Sequence, residues 1–167
     1  MLILVDPDDR EVGTQEKMSV HRSGTLHRAF SIFVWDVKGR VILQRRARGK
    51  YHSAGLWSNT CCGHPRAGES TLEAAHRRLR EEMGFDCPLT ERSSFIYKAS
   101  LDHDLTEHEL DHVLSGSFGG VPRPDPVEVE EWRAAAPSEV LADLASQPDK
   151  YTVWLKPALE GLLRRSA

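Results

Sequence analysis

Residues 61–85 read CCGHPRAGESTLEAAHRRLREEMGF, and this stretch decides how the rest of the chain is understood. Ser70 with Glu73 three residues later has the spacing of a capping box, in which each side chain satisfies a free N–H at the start of a helix. Leu72, Ala75, Leu79 and Met83 then recur at helical spacing as an apolar stripe. Gly84 is the residue type that ends a helix in the left-handed conformation. The spacing therefore predicts a helix from Ser70 to about Met83. It carries Arg77, Arg78, Glu81 and Glu82, and the turn Cys62-Gly63-His64 lies just ahead of it. Carboxylates, guanidiniums, a thiol and an imidazole gathered this closely point to metal and phosphate chemistry.

Working outward, Met1–Val5 reads as a short strand. Ala29–Val37 and Arg40–Arg46, separated by Lys38–Gly39, read as a hairpin rich in β-branched and aromatic residues. Residues 47–68 hold five of the glycines and prolines and read as loop. Strands are expected near Ser94–Leu101, Glu107–Phe118 and Val127–Ala134. The Gly119–Pro126 segment, with three prolines, reads as a connection. Helices are expected near Ser138–Ala145 and Thr152–Arg165, with Pro157 either interrupting the second or marking its start. This order of elements predicts an α+β fold, a mixed β-sheet flanked by helices.

With 167 residues the chain is expected to form a single domain, residues 1–167, with a sound core. Hydrophobic content of 40%, charged content of 28% and a net charge of −3 fit a soluble protein and argue against a nucleic-acid partner. The apolar start ends at Asp6, too early for a signal peptide, and no run approaches a membrane span. Three cysteines make no disulfide framework. A cytoplasmic protein with reduced thiols, a monomer or weak homo-oligomer, is expected.

Glu107 and Glu109 are one residue apart, so on a strand they share a face and His108 takes the other. Together with His21, His27 and His64 they offer three imidazoles and two carboxylates, a donor set suited to Zn, Mn, Fe or Co more than to Ca. Spacing alone leaves open a scatter of surface histidines and a solvated acidic strand.

Five segments, His21…LHRAF, RRARGKYHSAGLWSNTCCGHP, GESTLEAAHRRLREEMG, Tyr97…EHELDHV and YTVW, resemble in matching order the type I isopentenyl diphosphate isomerases, a family of Nudix fold. The helix stretch fits the Nudix pattern of Gly63, five residues, Glu69, seven residues, Arg77, Leu79, Glu81, Glu82 and Gly84. The glutamate usual after the arginine is here Arg78. That exchange removes a metal-binding carboxylate that hydrolysis needs and adds a cation that grips a diphosphate.

The resemblance implies an isomerase of isoprenoid biosynthesis. It would interconvert isopentenyl and dimethylallyl diphosphate by protonation and deprotonation through a tertiary carbocation. It implies one divalent metal, Mn2+ or Zn2+, on His21, His27, His64, Glu107 and Glu109, and one Mg2+ on Glu82 shared with the diphosphate. It implies Cys62 as the group working at C2 and Glu109 as the donor at C4, with Tyr97 beside it and the Trp154 indole facing the cation. A cation over a desolvated indole gains about 2 kcal/mol or more. Arg46, Lys50 and Arg78 are implied as diphosphate contacts. Cys61 is expected to be a small buried hydrophobe, Glu69 and Glu81 either to back up the metal ligands or to stabilise the fold, and Arg45, Arg48 and Arg77 to be surface or structural neighbours. Trp57 shapes its loop, and Trp35 and Trp132 read as core or strand positions. His52, His76, His103, His108 and His112 are expected at the surface or in local hydrogen bonds. Two other readings stay open at this point: a Nudix hydrolase, and a non-catalytic diphosphate-binding module.

Overall fold

A computed structural model describes residues 1–165; residues 166 and 167, which the single-domain expectation includes, lie outside the described residues. The chain opens with strands β1 (Leu2–Val5) and β2 (Glu11–Gln15) and helix α1 (Lys17–Ser23). Strands β3 (His27–Trp35), β4 (Val41–Arg46), β5 (Trp57–Ser58) and β6 (Cys61–Gly63) follow. After α2 (Thr71–Met83) come β7 (Leu89–Ser100), β8 (Thr106–Ser117) and β9 (Val129–Ala135), and α3 (Pro137–Ser146) and α4 (Leu155–Arg165) close the chain. Pro157 sits in the first turn of α4, where a missing N–H costs nothing. Among the described residues no helix is long and apolar enough to cross a membrane.

The sheet is mixed and β3 is its centre. One edge of β3 runs parallel to β8, from His27↔Glu109 to Trp35↔Ser117. The other edge meets β1 at Leu4↔His27, β6 at Phe30–Ile32 and β4 at Trp35↔Val41. The expected hairpin of β3 and β4 is thus closed at its tip, and the chain inserts residues 57–63 between its arms. Ser58, Asn59 and Thr60 are all buried in that wedge. Thr60 accepts from Val34 N and donates to the Ile42 carbonyl, while Asn59 Nδ2 donates to the carbonyls of Ile32 and Cys61. Side chains here replace the ladder bonds that the splayed strands cannot make. The stretch read as loop from sequence therefore contains two short strands and much of the buried polar structure.

Alternation along β3 sends Phe30, Ile32 and Val34 into a core under α2, with Cys61, Leu79 and Met83. Phe33 packs into a second core with Val113, Val140, Leu155 and Leu159 under α3 and α4. Helices thus cover both faces, and each fully buried residue of this size contributes about 1.5–3 kcal/mol. The first helix face is read correctly from sequence except at Leu72, which is exposed; Ala74 and Glu82 join the buried side instead. Leu72 lies in the first turn of α2, and the buried side begins at Ala74 and Ala75.

The predicted capping box of Ser70 and Glu73 is present, and Gly84 caps the helix at φ 70°. A Cβ at Gly84 would stand 2.1 Å from the Arg123 carbonyl oxygen, so no larger residue fits. The Gly119–Pro126 connection explains this crowding. Pro122, Pro124 and Pro126 lack N–H groups, and the N–H groups of Arg123 and Asp125 between them donate to the carbonyls of Met83 and Glu82. Those are end carbonyls with no partner inside the helix. A Cβ at Gly63 would meet Phe30 Cζ at 2.8 Å and Arg78 Cγ at 3.1 Å. The bare glycine lets the stem of Arg78 pass over β6.

Candidate active site

Strand register builds the acidic centre. Glu109 is the direct partner of His27 on β3 and of Tyr97 on β7. Glu107, two residues earlier on β8, shares its face, and both are buried; His108 points the other way and meets the Gly24 carbonyl. The capped turn of α1 supplies His21, and the residue after β6 supplies His64. One donor atom from each of His21, His27, His64, Glu107 and Glu109 lies within 4.8 Å of all the others. His64 Nε2 is 2.8 Å and His27 Nε2 is 3.5 Å from Glu109 Oε1, and Tyr97 donates its hydroxyl to Glu109 Oε2 at 2.7 Å.

The donor set fits a divalent cation. His21 Nδ1 faces the Lys17 carbonyl at 2.7 Å and His27 Nδ1 faces the Thr25 carbonyl at 2.9 Å. Carbonyls can only accept, so both protons sit on Nδ1 and both Nε2 lone pairs turn into the cluster. His21 Nε2, His27 Nε2 and Glu107 Oε2 are buried there without a hydrogen-bond partner, an arrangement that is costly unless something positive completes it. Burial lowers the basicity of His21 and brings His64 down to about 4, keeping both rings neutral for coordination. Burial and the charge of Glu109 raise the Glu107 carboxyl well above its usual range. Burial also acts to raise Glu109, but the imidazoles of His27 and His64 outweigh it and hold that carboxyl low.

Alternation along β6 separates the two adjacent cysteines: Cys61 is fully buried in the core under α2, and Cys62 opens onto a cavity of about 400 Å³. The Cys62 thiol donates to Asn59 Oδ1 at 3.0 Å. The Trp154 indole N–H points at the same spot, 3.2 Å from Cys62 Sγ, 3.2 Å from Asn59 Oδ1 and 3.1 Å from Ser58 Oγ. Asn59 cannot turn, because its amide nitrogen is held by two backbone carbonyls, so thiol and indole are fixed together. Burial, with the nearby charges of Asp111 and Glu82, pushes the Cys62 thiol up to about 12.

The cavity is also lined by cations. Arg46, Lys50 and Arg78 all line it. Arg78 pairs with Glu81, Glu82 and Glu128, Lys50 pairs with Glu128, and Arg46 lies 5.6 Å from the Trp154 ring centre. Glu82 is buried and also accepts from Gln44 Nε2 at 2.8 Å. Glu69 grips Arg77 through two hydrogen bonds of 2.7 and 2.8 Å and so closes the loop ahead of α2, the fold-stabilising one of the two parts open to it.

The NUDIX domain pattern matches residues 25–155. The chain is 52% identical over 162 residues to the isopentenyl-diphosphate Delta-isomerase of Serratia proteamaculans, covering 97% of this chain and 90% of that protein. It is also 52% identical over 159 residues to the isopentenyl-diphosphate Delta-isomerase of Burkholderia multivorans, covering 95% and 90%. The chain belongs to the isopentenyl-diphosphate Delta-isomerase family. Solved structures show how far this isomerase family shares its fold. A Deinococcus radiodurans protein, DR0079, superposes with a TM-score of 0.81 at 19% identity, covering 96% of this chain and 98% of that one. A MutT protein from Methanosarcina mazei gives 0.70 at 16% identity, covering 84% and 95%. The architecture is that of Nudix proteins generally, and the Arg78 exchange sits inside it.

Every site residue expected from the sequence of this isomerase-family chain comes to one place: ten line the cavity, and His21 and His27 lie just behind it in the acidic cluster. Two residues go beyond what was expected of them. His52 makes the local hydrogen bond expected of it, to Ser53 Oγ, but is also buried beside Glu107, and Trp57 does more than shape a loop, stacking under Arg133 at 4.9 Å. Lys17 was given no part, yet it lines the cationic side, where burial lowers its basicity. A lysine four residues before His21 points the same way only on a helix, so its signal shows once α1 is known. For Asn59 there was none, since its importance lies in which carbonyls it meets.

Proposed function

We propose that this protein interconverts isopentenyl diphosphate and dimethylallyl diphosphate. The observation that carries the reading is one cavity holding a fixed thiol and indole, a buried carboxyl cluster and a cationic wall, in a chain of this family. The diphosphate lies against Arg46, Lys50, Arg78 and Lys17, leaving the five-carbon chain toward Cys62, Trp154 and Glu109. Burial holds Cys62 as a thiol and the imidazoles hold Glu109 as a carboxylate, so the forward direction begins once the thiol proton has passed from Cys62 to Glu109. The Glu109 carboxyl then gives it to C4, and the alkene electrons form that C–H bond and leave a tertiary cation at C3. The Cys62 thiolate takes a proton from C2, and that C–H pair becomes the new double bond. The reaction ends with a thiol and a carboxylate, from which the reverse begins. Buried walls keep water from trapping the cation as an alcohol, and the Trp154 face offers it electron density. Tyr97 holds Glu109 in place by its hydrogen bond.

In this reading a divalent ion, Mn2+ or Zn2+, belongs to His21, His27, His64, Glu107 and Glu109, where it would fix and acidify the Glu109 carboxyl. Mg2+ belongs at Glu82, since Mg2+ uses few protein carboxylates when phosphate oxygens complete its shell. The free thiols of Cys61, Cys62 and Cys87 suit a reducing compartment such as the cytoplasm.

Proton NMR with isopentenyl diphosphate and Mg2+ tests the activity. The expected result is the pair of dimethylallyl methyl signals with no phosphate released. Phosphate without those signals would make the protein a hydrolase, and binding with neither product would make it a carrier. Two variants probe the ends of the site. His64→Ala is expected to lower the transition metal retained on purification by about tenfold or more, read by elemental analysis; unchanged metal would mean the ligand set is wrong. Arg78→Glu rebuilds the Nudix carboxylate and places it beside Glu82 and Glu128. Losing a charge-assisted contact worth about 1.5–3 kcal/mol should raise KM about 10- to 100-fold, with kcat much less affected. A lower KM would contradict the grip assigned to Arg78.

A further inference from the structure

His52 is buried, lines the cavity and has no part in the chemistry above. Its Nε2 lies 3.2 Å from Glu107 Oε1, and its Nδ1 is hydrogen-bonded to Ser53 Oγ at 3.2 Å. If the serine hydroxyl donates to Nδ1, the ring proton is left on Nε2, facing the carboxylate. The backbone supports this pose. Ser53 adopts φ 50°, a left-handed conformation that a residue with a Cβ seldom takes and that costs energy unless its surroundings impose it. Arg46 donates to the His52 carbonyl at 3.1 Å, which fixes the peptide beside the ring. The ring itself is wedged: Tyr51 meets it edge-on at 4.3 Å, and His21 and Trp154 lie 6.0 Å away on other sides.

Glu107 shows what this wedge does. Oε1 faces His52, and Oε2 has no hydrogen-bond partner and lies 3.7 Å from His21 Nε2. His52 is not among the five residues whose donor atoms gather within 4.8 Å. We propose that His52 is a positioning residue for Glu107, holding Oε1 so that Oε2 is presented to the cation site. The inference rests on the metal reading above. Outer groups that orient a ligand are commonly worth 10- to 100-fold in metal affinity.

The test compares parent, His52→Ala, His52→Asn and His52→Gln by chelator competition for Zn2+ and by the visible absorption of the Co2+ form. The amide nitrogen of glutamine reaches the place of Nε2, whereas that of asparagine reaches only Nδ1. His52→Ala and His52→Asn are expected to bind Zn2+ about 10- to 100-fold more weakly with a shifted Co2+ band, and His52→Gln to recover most of both. Parent-like affinity and spectrum in His52→Ala would overturn the proposal. So would equal losses in the asparagine and glutamine forms with parent-like circular dichroism, because those would report packing alone; this pair decides the matter if the alanine form does not fold. A parent chain that binds neither ion removes the metal reading together with this inference. A parent that binds beside an unaffected alanine variant removes this inference only.

Discussion

Replacing Cys62 by alanine is expected to lower kcat for isomerisation by about 10³-fold or more, the scale of a lost proton-transfer group in a site that cannot substitute water for it. KM and the circular dichroism spectrum should stay near the parent values, for reasons visible around the sulfur. Cys62 sits on a short strand whose pairing with β3 uses only backbone, and its side chain carries none of the core. Without the sulfur, the Trp154 N–H still has Ser58 and Asn59 as acceptors, so no buried donor is orphaned. None of the diphosphate cations Arg46, Lys50 and Arg78 is hydrogen-bonded to the sulfur, so all three stay in place. Turnover near the parent rate in this variant would remove the thiol from the mechanism.

The second large effect is expected of Glu109→Gln. A carboxamide keeps the shape of the side chain but has no acidic proton to give and is a poor partner for a cation. Isomerisation should fall by about 10³-fold or more, and deuterium from heavy water should no longer appear in the new methyl group. The second readout separates chemistry from binding, because label enters only when C4 is protonated. Label incorporated at the parent rate would assign the proton to another group. Tyr97 is the neighbour best placed to be that group, with its hydroxyl 2.7 Å from the carboxyl.

Much of this site could be read from sequence, for reasons particular to its residues. Ser70, Glu73 and Gly84 announce a helix because capping chemistry is local. Glu107 and Glu109 announce a shared face because strand alternation is local too. Their meeting with His27 depends on the parallel register of β3 and β8 and that with His21 on the placing of α1; no short stretch encodes either, and the family resemblance supplied both. Helix α1 escaped notice because its cap is Glu16, which accepts from Met18 N and Ser19 N in place of the usual short side chain. Strands β5 and β6 are too short to show a period, and they exist because β3 and β4 part. The burial of His52 is not legible, because a histidine within a glycine-bearing stretch looks exposed until the path of that stretch is known.

The proline-spaced connection ahead of β9 has a meaning for how the protein can vary. Its side chains stay clear of the cavity, but its N–H groups seat the last turn of the helix that bears Arg78 and Glu82, and it runs directly on to Glu128. One strap therefore sets the angle between both partners of the cationic wall. Lengthening or shortening it would leave every charge in place and still misalign the cradle for the phosphate tail. Drift in this remote segment would be felt as poorer substrate capture, with the bond-shifting step itself unchanged.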